Sequence, residues 1–252
     1  MDSNLHLIAG IFVYGGLASA LIIFMDLFRH PQKMKIMMPV WVLTGLWGSY
    51  IGLLFYLIIG RTPDPEAHVM NGANKDFNKD KTTETGMQMG MNMEMHPHMP
   101  LTPLRPEPSR VFVSTLHCGA GCSLADLIGE GLLAGIPFVI AGNAWVGRWI
   151  VDYILALLFG VLFQYAAIQP MLHLPPGKAF LRAFRIDFLS LTAWQAGMYA
   201  WMAVVMFLLF PQGLSPTSLE FWFMMQVAMF FGLAASYPVN WLLIKKGIKP
   251  TM

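Results

Sequence analysis

The stretch His117-Cys118-Gly119-Ala120-Gly121-Cys122, continuing through Asp126 to Glu130, holds the densest chemistry in the chain. On a helix, Cys118, Cys122, Asp126 and Glu130 recur every four residues and drift by only about 40° per step, so they form one slowly winding stripe. A helix starting near Cys118 places two thiols at the mouth of a membrane and Glu130 about 18 Å deeper, near the middle of the bilayer. Thiolate is a soft ligand suited to Cu(I) or Zn(II). A Cys-x-x-x-Cys pair on one helical face can close around one ion, with His117 in a third position. The same pair could instead cycle between dithiol and disulfide, or be packed as two small apolar side chains. Asp126 and Glu130 are costly in lipid unless paired, protonated or hydrated, which makes them functional groups by default and possible proton-coupling sites. The structural alternative is a packing contact, with Arg148 as partner for the carboxylate.

A second concentration of soft donors runs from Met87 to Met99, with Met87, Met89, Met91, Met93, Met95, His96, His98 and Met99 giving six Met and two His in thirteen residues. Met at every second position places thioethers on one side of an extended segment. Thioether with imidazole selects Cu(I) or Ag(I) over Mg, Ca or Mn. Further along, Asp187, Leu191, Gln195, Met198 and Met202 fall at spacings of three and four, on one face of a helix, and Met225 and Met229 do the same on another. Opposed across a bundle, these side chains could continue a thioether path beyond the Cys pair. Asp26 and Asp152 have Arg29 and Arg148 at helical spacing and are expected to pair with them.

The elements that must hold these groups are membrane helices. Of 252 residues, 56% are hydrophobic and 12% charged, against about a quarter charged in a soluble domain, and the mean hydropathy is +0.55. A helix crosses about 30 Å of hydrocarbon with roughly 20 residues. Apolar stretches of that length occur at 6–27, 37–60, 118–142, 148–170, 185–210 and 218–244. The fold class expected is all-α, a polytopic bundle of six transmembrane helices: an N-terminal hairpin over 1–60, a disordered Met/His-rich linker over 61–115, and a four-helix core over 116–252. Six spans put both termini on one side. Counting Lys and Arg with the termini inside gives twelve on that side and four on the other, with the cluster Arg29, Lys33 and Lys35 pulling the opposite way. The low charge and the lack of a long Lys/Arg block argue against nucleic-acid binding. No phosphate-binding Gly-rich loop is present, which argues against a self-powered pump.

Several segments resemble a known family: Thr115 through Cys122; Ser190-Leu191-Thr192-Ala193 with Gly197-Met198 and Trp201-Met202; Phe221 through Gln226 with Ser236 through Trp241; and Asp26 through Gln32 with Met34. They are similar to the bacterial and archaeal membrane proteins grouped as domain of unknown function 4396. The resemblance covers most of the chain except the linker. It implies a multi-span protein of the cytoplasmic (inner) membrane and carries no established activity, and the Met/His linker is not part of its pattern.

The function expected from the residues is soft-metal handling, most simply of Cu(I), with Ag(I) or Zn(II) as alternatives. The linker captures the ion and passes it to Cys118, Cys122 and His117. The route then runs along Asp126, Glu130, Asp187, Gln195, Met198, Met202, Met225 and Met229, for transport or for delivery to a copper chaperone or metalloenzyme. This is a carrier or metal-binding membrane protein rather than an enzyme. The rival class is a membrane thiol or haem oxidoreductase, or a respiratory-complex assembly factor, although no second intramembrane His accompanies His117.

Overall fold

The structure is a computed structural model that describes residues 3–32, 34–62, 106–133, 144–172 and 175–250. The Met/His run 87–99 lies outside these residues. Six helices are long and apolar enough to cross a membrane, and no strand is found among the described residues. This makes the chain an all-helical integral membrane protein. The helices are α1 (Ser3–Arg29), α2 (Met37–Phe55, continued by the π-helical turn Tyr56–Gly60), α3 (Pro108–Leu133), α4 (Ala144–Leu172), α5 (Pro176–Val204, continued by the π-helical turn Val205–Leu209) and α6 (Leu219–Lys245).

Helix α3 is the hub of the bundle. Its most apolar window is 72% buried, whereas those of the other five helices are between 28% and 39% buried and turn residues such as Leu7, Phe28, Ile154 and Phe207 outward. Such outward apolar surface is what lipid requires. Helix α3 begins at Pro108, ten residues before the start expected from hydropathy. Pro108 supplies a fixed φ at a position where the missing N–H costs nothing. Ser114, Thr115 and His117, which dilute the apolar pattern, are buried inside the bundle rather than solvated outside it. The thiols therefore lie in the middle of the helix, Cys118 about 15 Å from Pro108, and Glu130 is close to the helix end. This reverses the expected order, in which the thiols stood at the mouth and Glu130 at mid-depth. Helix α5 likewise starts nine residues early, at Pro176, because Lys178, Arg182 and Arg185 lower the hydropathy of turns that remain helical. Ser218 caps α6 by accepting a hydrogen bond from Phe221 N at 3.2 Å.

Helix α2 has the length of a span but is broken. Ser49 has φ 50° and ψ −133°, a conformation L residues avoid, and its hydroxyl donates to Phe12 O at 2.9 Å. After Ser49 the chain turns back on its own first arm. A Cβ on Gly52 would strike Thr44 O, one on Gly60 would strike the Trp41 ring, and Trp41 and Tyr56 meet edge to face at 5.7 Å. Both ends of α2 consequently stand at the same end of α1: Gln32 Nε2 donates to Gly60 O at 2.9 Å, and Arg61 Nε lies 3.3 Å from Asp26 Oδ2. Asp26 also accepts from Tyr56 Oη at 2.8 Å. The expected Asp26 pairing with Arg29 is thus replaced by one with Arg61, which the fold-back brings within reach.

The fold-back changes the topology. Helix α1 runs parallel to α6, with His6 Nδ1 2.7 Å from Glu220 Oε1 and the Phe12 and Phe223 rings 5.4 Å apart. The chain ends therefore emerge on opposite faces, not on one. Among the described residues, Arg29, Lys35, Arg61, Arg110, Lys178, Arg182, Arg185, Lys245, Lys246 and Lys249 gather toward one face, and only Arg148 stands at the other. The cluster around Arg29, discordant in the straight six-span reading, joins the rest.

Candidate functional site

The site follows the inner face of α3 from the Lys-rich face to the opposite one. Its first station surrounds Cys118, which is fully buried. The Cys118 thiol lies 2.9 Å from Ser190 Oγ and 3.4 Å from Asp187 Oδ1, both on α5. Asn240 of α6 fixes this corner: its Nδ2 donates to Ser190 Oγ, to Ser236 Oγ at 2.9 Å and to Ser236 O at 3.0 Å. Its Oδ1 accepts from Lys249 Nζ at 2.6 Å, and the same ammonium donates to Ser114 O at 2.9 Å and lies 3.8 Å from Cys118 Sγ. Asp187 Oδ2 has no hydrogen-bond partner; it abuts Gly160 of α4, where a Cβ would strike it. Glycine there lets a carboxylate approach the helix backbone.

One turn on, Cys122 is a free, fully buried thiol. Gly121 beside it lets α3 and α4 touch, since a Cβ on it would lie 2.8 Å from the Gly160 backbone. His117 is buried with both ring nitrogens unpartnered. It does not join the thiols: among the described residues no three His, Cys, Asp or Glu side chains form a group able to hold a metal ion. Adjacent helical positions diverge by about 100°, so a His next to a Cys in sequence points elsewhere.

The next turn carries Asp126, which is 5% exposed and lies between two cavities. The first, about 240 Å³, is half-enclosed and mostly apolar. Leu17, Leu46, Trp47, Ser123, Met225 and Met229 contribute to its wall. The second is narrow, with room for about one water molecule, and is lined by Met198, Met202, Met206 and Met225 together with Asp126, Glu130, Arg148 and Asp152. At the far end Arg148 Nη1 donates to Glu130 Oε2 at 2.6 Å. Arg148 is therefore engaged by Glu130 on α3 rather than by Asp152 four residues away, and Asp152 Oδ1 has no hydrogen-bond partner.

The structure brings most of the sequence-derived residues together. Cys118 and Asp187 share the first station. Asp126, Glu130, Met198, Met202 and Met225 line the second cavity, and Met225 with Met229 line the first. Met198 Sδ also accepts from Trp194 Nε1 at 3.1 Å. Gln195 is buried with both polar atoms unpaired and lines neither of these two cavities. The sequence reading missed Met206, although it continues the Met198 and Met202 series by another four residues. It also missed Ser190, took Asn240 only as one more polar position on the last helix, and counted Lys249 only as a surface charge. Nothing in the local sequence marks Lys249 as buried, because its partners lie on other segments.

No curated protein and no solved structure matches the chain. A family model does match, over residues 109–249, from the first turn of α3 to Lys249. It leaves outside α1, α2, the residues 26–34 that resembled the family, and the Met/His run. The matched segment contains Cys118, Cys122, Asp126, Glu130, Asp187 and the methionines of both cavities, but not Leu17, Leu46 and Trp47 of the first cavity's wall. With more than half of its length covered, the chain belongs to the family described as Domain of unknown function (DUF4396).

Proposed function

We propose that this protein carries a soft monovalent metal ion, Cu(I), across the cytoplasmic membrane of a bacterium or archaeon. The observation that carries this reading is the second cavity, where the thioethers of Met198, Met202, Met206 and Met225 converge with Asp126 beyond the Cys118 and Cys122 thiols. Thioether and thiolate are the donors that favour Cu(I), and Ag(I) shares these preferences. Methionine is not among the residue types that make up harder metal sites, so the lack of a His/Cys/Asp/Glu triad among the described residues is compatible with this cargo.

The uneven charge supports an orientation. Cytoplasmic segments are enriched in Lys and Arg, so the face bearing ten of the eleven described basic residues is the cytoplasmic one. Thr62 and Pro106, which flank the linker, both belong to that face. In this reading Met87, Met89, Met91, Met93, Met95, His96, His98 and Met99 collect the ion from the cytoplasm, directly or from a copper chaperone, and offer it to Cys118 and Cys122. Exchange among sites that bind but also release then moves it to the cavities around Asp126. The carboxylates Asp126 and Asp187 offset its charge in the low-dielectric interior.

The test is metal stoichiometry after anaerobic Cu(I) loading. Wild type is compared with a deletion of 87–99, with Cys118→Ser/Cys122→Ser, and with Met202→Leu/Met225→Leu. Loss of part of the copper in the deletion, and of the remaining tight copper in the Cys and Met variants, is the expected result. Wild-type protein that binds no copper refutes the proposal. Full stoichiometry in both the Cys and the Met variants removes the bundle from it.

A further inference from the structure

We propose that Lys249 gates the cytoplasmic side of this route, its ammonium standing as a tethered cation in the place through which an ion reaches Cys118. For its cargo the gate rests on the reading above, but its geometry and its first test do not.

Helix α6 ends at Lys245, and Gly247, with φ 67°, reverses the chain. Such a left-handed residue after a helix is the usual device for folding the chain back over the last turn. Here Ile248 N and Lys249 N both donate to Leu243 O, at 2.9 and 3.2 Å. The turn sends the Lys249 side chain inward, between α3 and α6, leaving it 2% exposed. Lysine is almost never so buried unless something holds its charge. What holds it is a shell of neutral acceptors: Ser114 O, Asn240 Oδ1 and the Cys118 sulfur. The carboxylate of Asp187, 3.4 Å from that thiol, adds a negative charge beside this shell. Oxygen and sulfur atoms around a single positive charge make a cation site, and the chain fills it with its own cation.

Two consequences follow from this placement. The ammonium lies 3.8 Å from Cys118 Sγ, so a metal cation cannot reach the thiol from the Lys249 side while the ammonium remains, for reasons of both space and charge. The plug is also removable, because Lys249 hangs on a flexible four-carbon stem beyond the end of α6. On the opposite side of the thiols, by contrast, the larger cavity and the narrow second one meet at Asp126. The thiol is therefore closed off on the basic face, and the free space beside the route lies on its other side.

The experiment measures alkylation of Cys118 by a water-soluble maleimide in the full chain, with Cys122→Ala so that Cys118 is the only thiol. Lys249→Ala is expected to react at least tenfold faster than the Lys249 parent, and Lys249→Arg to remain slow. Ethylammonium, added as a free stand-in for the missing ammonium, is expected to slow the Lys249→Ala reaction and leave the parent unchanged. An unchanged rate in Lys249→Ala overturns the proposal. So does an acceleration that ethylammonium fails to reverse, since a loosened or unfolded bundle would expose the thiol without recreating a cation site. The assay contains no metal, so failure of copper binding would remove the cargo and leave the gate standing, and failure here would leave the copper reading to its own test.

Discussion

Replacing Gly121 and Gly131, ten residues apart on α3, by alanine tests whether α3 is held where the site requires. At Gly121 a Cβ would lie 2.8 Å from both Cα and N of Gly160 on α4. Carbon atoms in comfortable contact stand about 3.5–4.0 Å apart, so the two helices must part by roughly 0.7 Å or more. Neither contact can be relieved by a rotamer change, because both partners are backbone. Helix α4 cannot retreat freely, since Gly160 already abuts Asp187, and a Cβ there would lie 2.7 Å from Leu191 Cδ1 on α5. Overpacking of this kind costs about 1–3 kcal/mol, and the rigid surroundings put Gly121→Ala toward the upper end. At Gly131 nothing lies within 4 Å of the added carbon, and exchanging Gly for Ala within a helix contributes about 0.5–1 kcal/mol. The two variants should therefore move stability in opposite directions. The assay is the unfolding midpoint in lipid-containing micelles, followed by the fluorescence of the eight tryptophans. Equal shifts, or a Gly121→Ala protein as stable as wild type, would refute the close contact of α3 and α4 on which the position of Cys122 depends.

Other perturbations have defined outcomes in the same or similar assays. Arg148→Met leaves the Glu130 carboxylate, 6% exposed, without its partner and should cost about 3–5 kcal/mol; adding Glu130→Gln should restore most of that loss, and an undiminished deficit would show that the ion pair is not its origin. Ser49→Val should destabilise by about 1–2 kcal/mol because a branched side chain is forced to positive φ, whereas Ser49→Gly should cost little by unfolding midpoint; equal effects would contradict the fold-back of α2. Single cysteines at Ser3 and at Lys246, in a Cys118→Ala/Cys122→Ala background, should react with an impermeant maleimide from opposite faces of sealed vesicles, and labelling from one face would restore a straight six-span topology.

Membrane insertion was legible because it depends on composition and segment length alone, and among the described residues each of the six apolar stretches contributes a helix. The stripe from Cys118 to Glu130 was legible too, since a period of four survives whatever the helix packs against. Depth was not. Ser114, Thr115 and His117 lower local hydropathy yet are buried, so a window average cut ten residues from the start of α3 and displaced the thiols from the middle of the helix to its mouth. Ion-pair partners were misjudged for a related reason. Arg29 and Arg148 are near Asp26 and Asp152 in sequence, but Asp26 finds Arg61 and Arg148 finds Glu130 across helix contacts.

What the amino-acid sequence determined by itself is therefore the local and the additive: which segments enter lipid, which face of each helix carries sulfur and carboxylate, and an excess of basic charge near one end of the bundle. What only the tertiary structure decided is direction and partnership. Gly45, Gly48, Ser49 and Gly52 mark the place where α2 can reverse, but hydropathy is a sum over a window and has no sign for the direction in which the chain runs. The reversal sets the termini on opposite faces, and the turn at Gly247 carries Lys249 to Cys118. Both outcomes depend on contacts between residues remote in the chain, whose energies no local pattern contains.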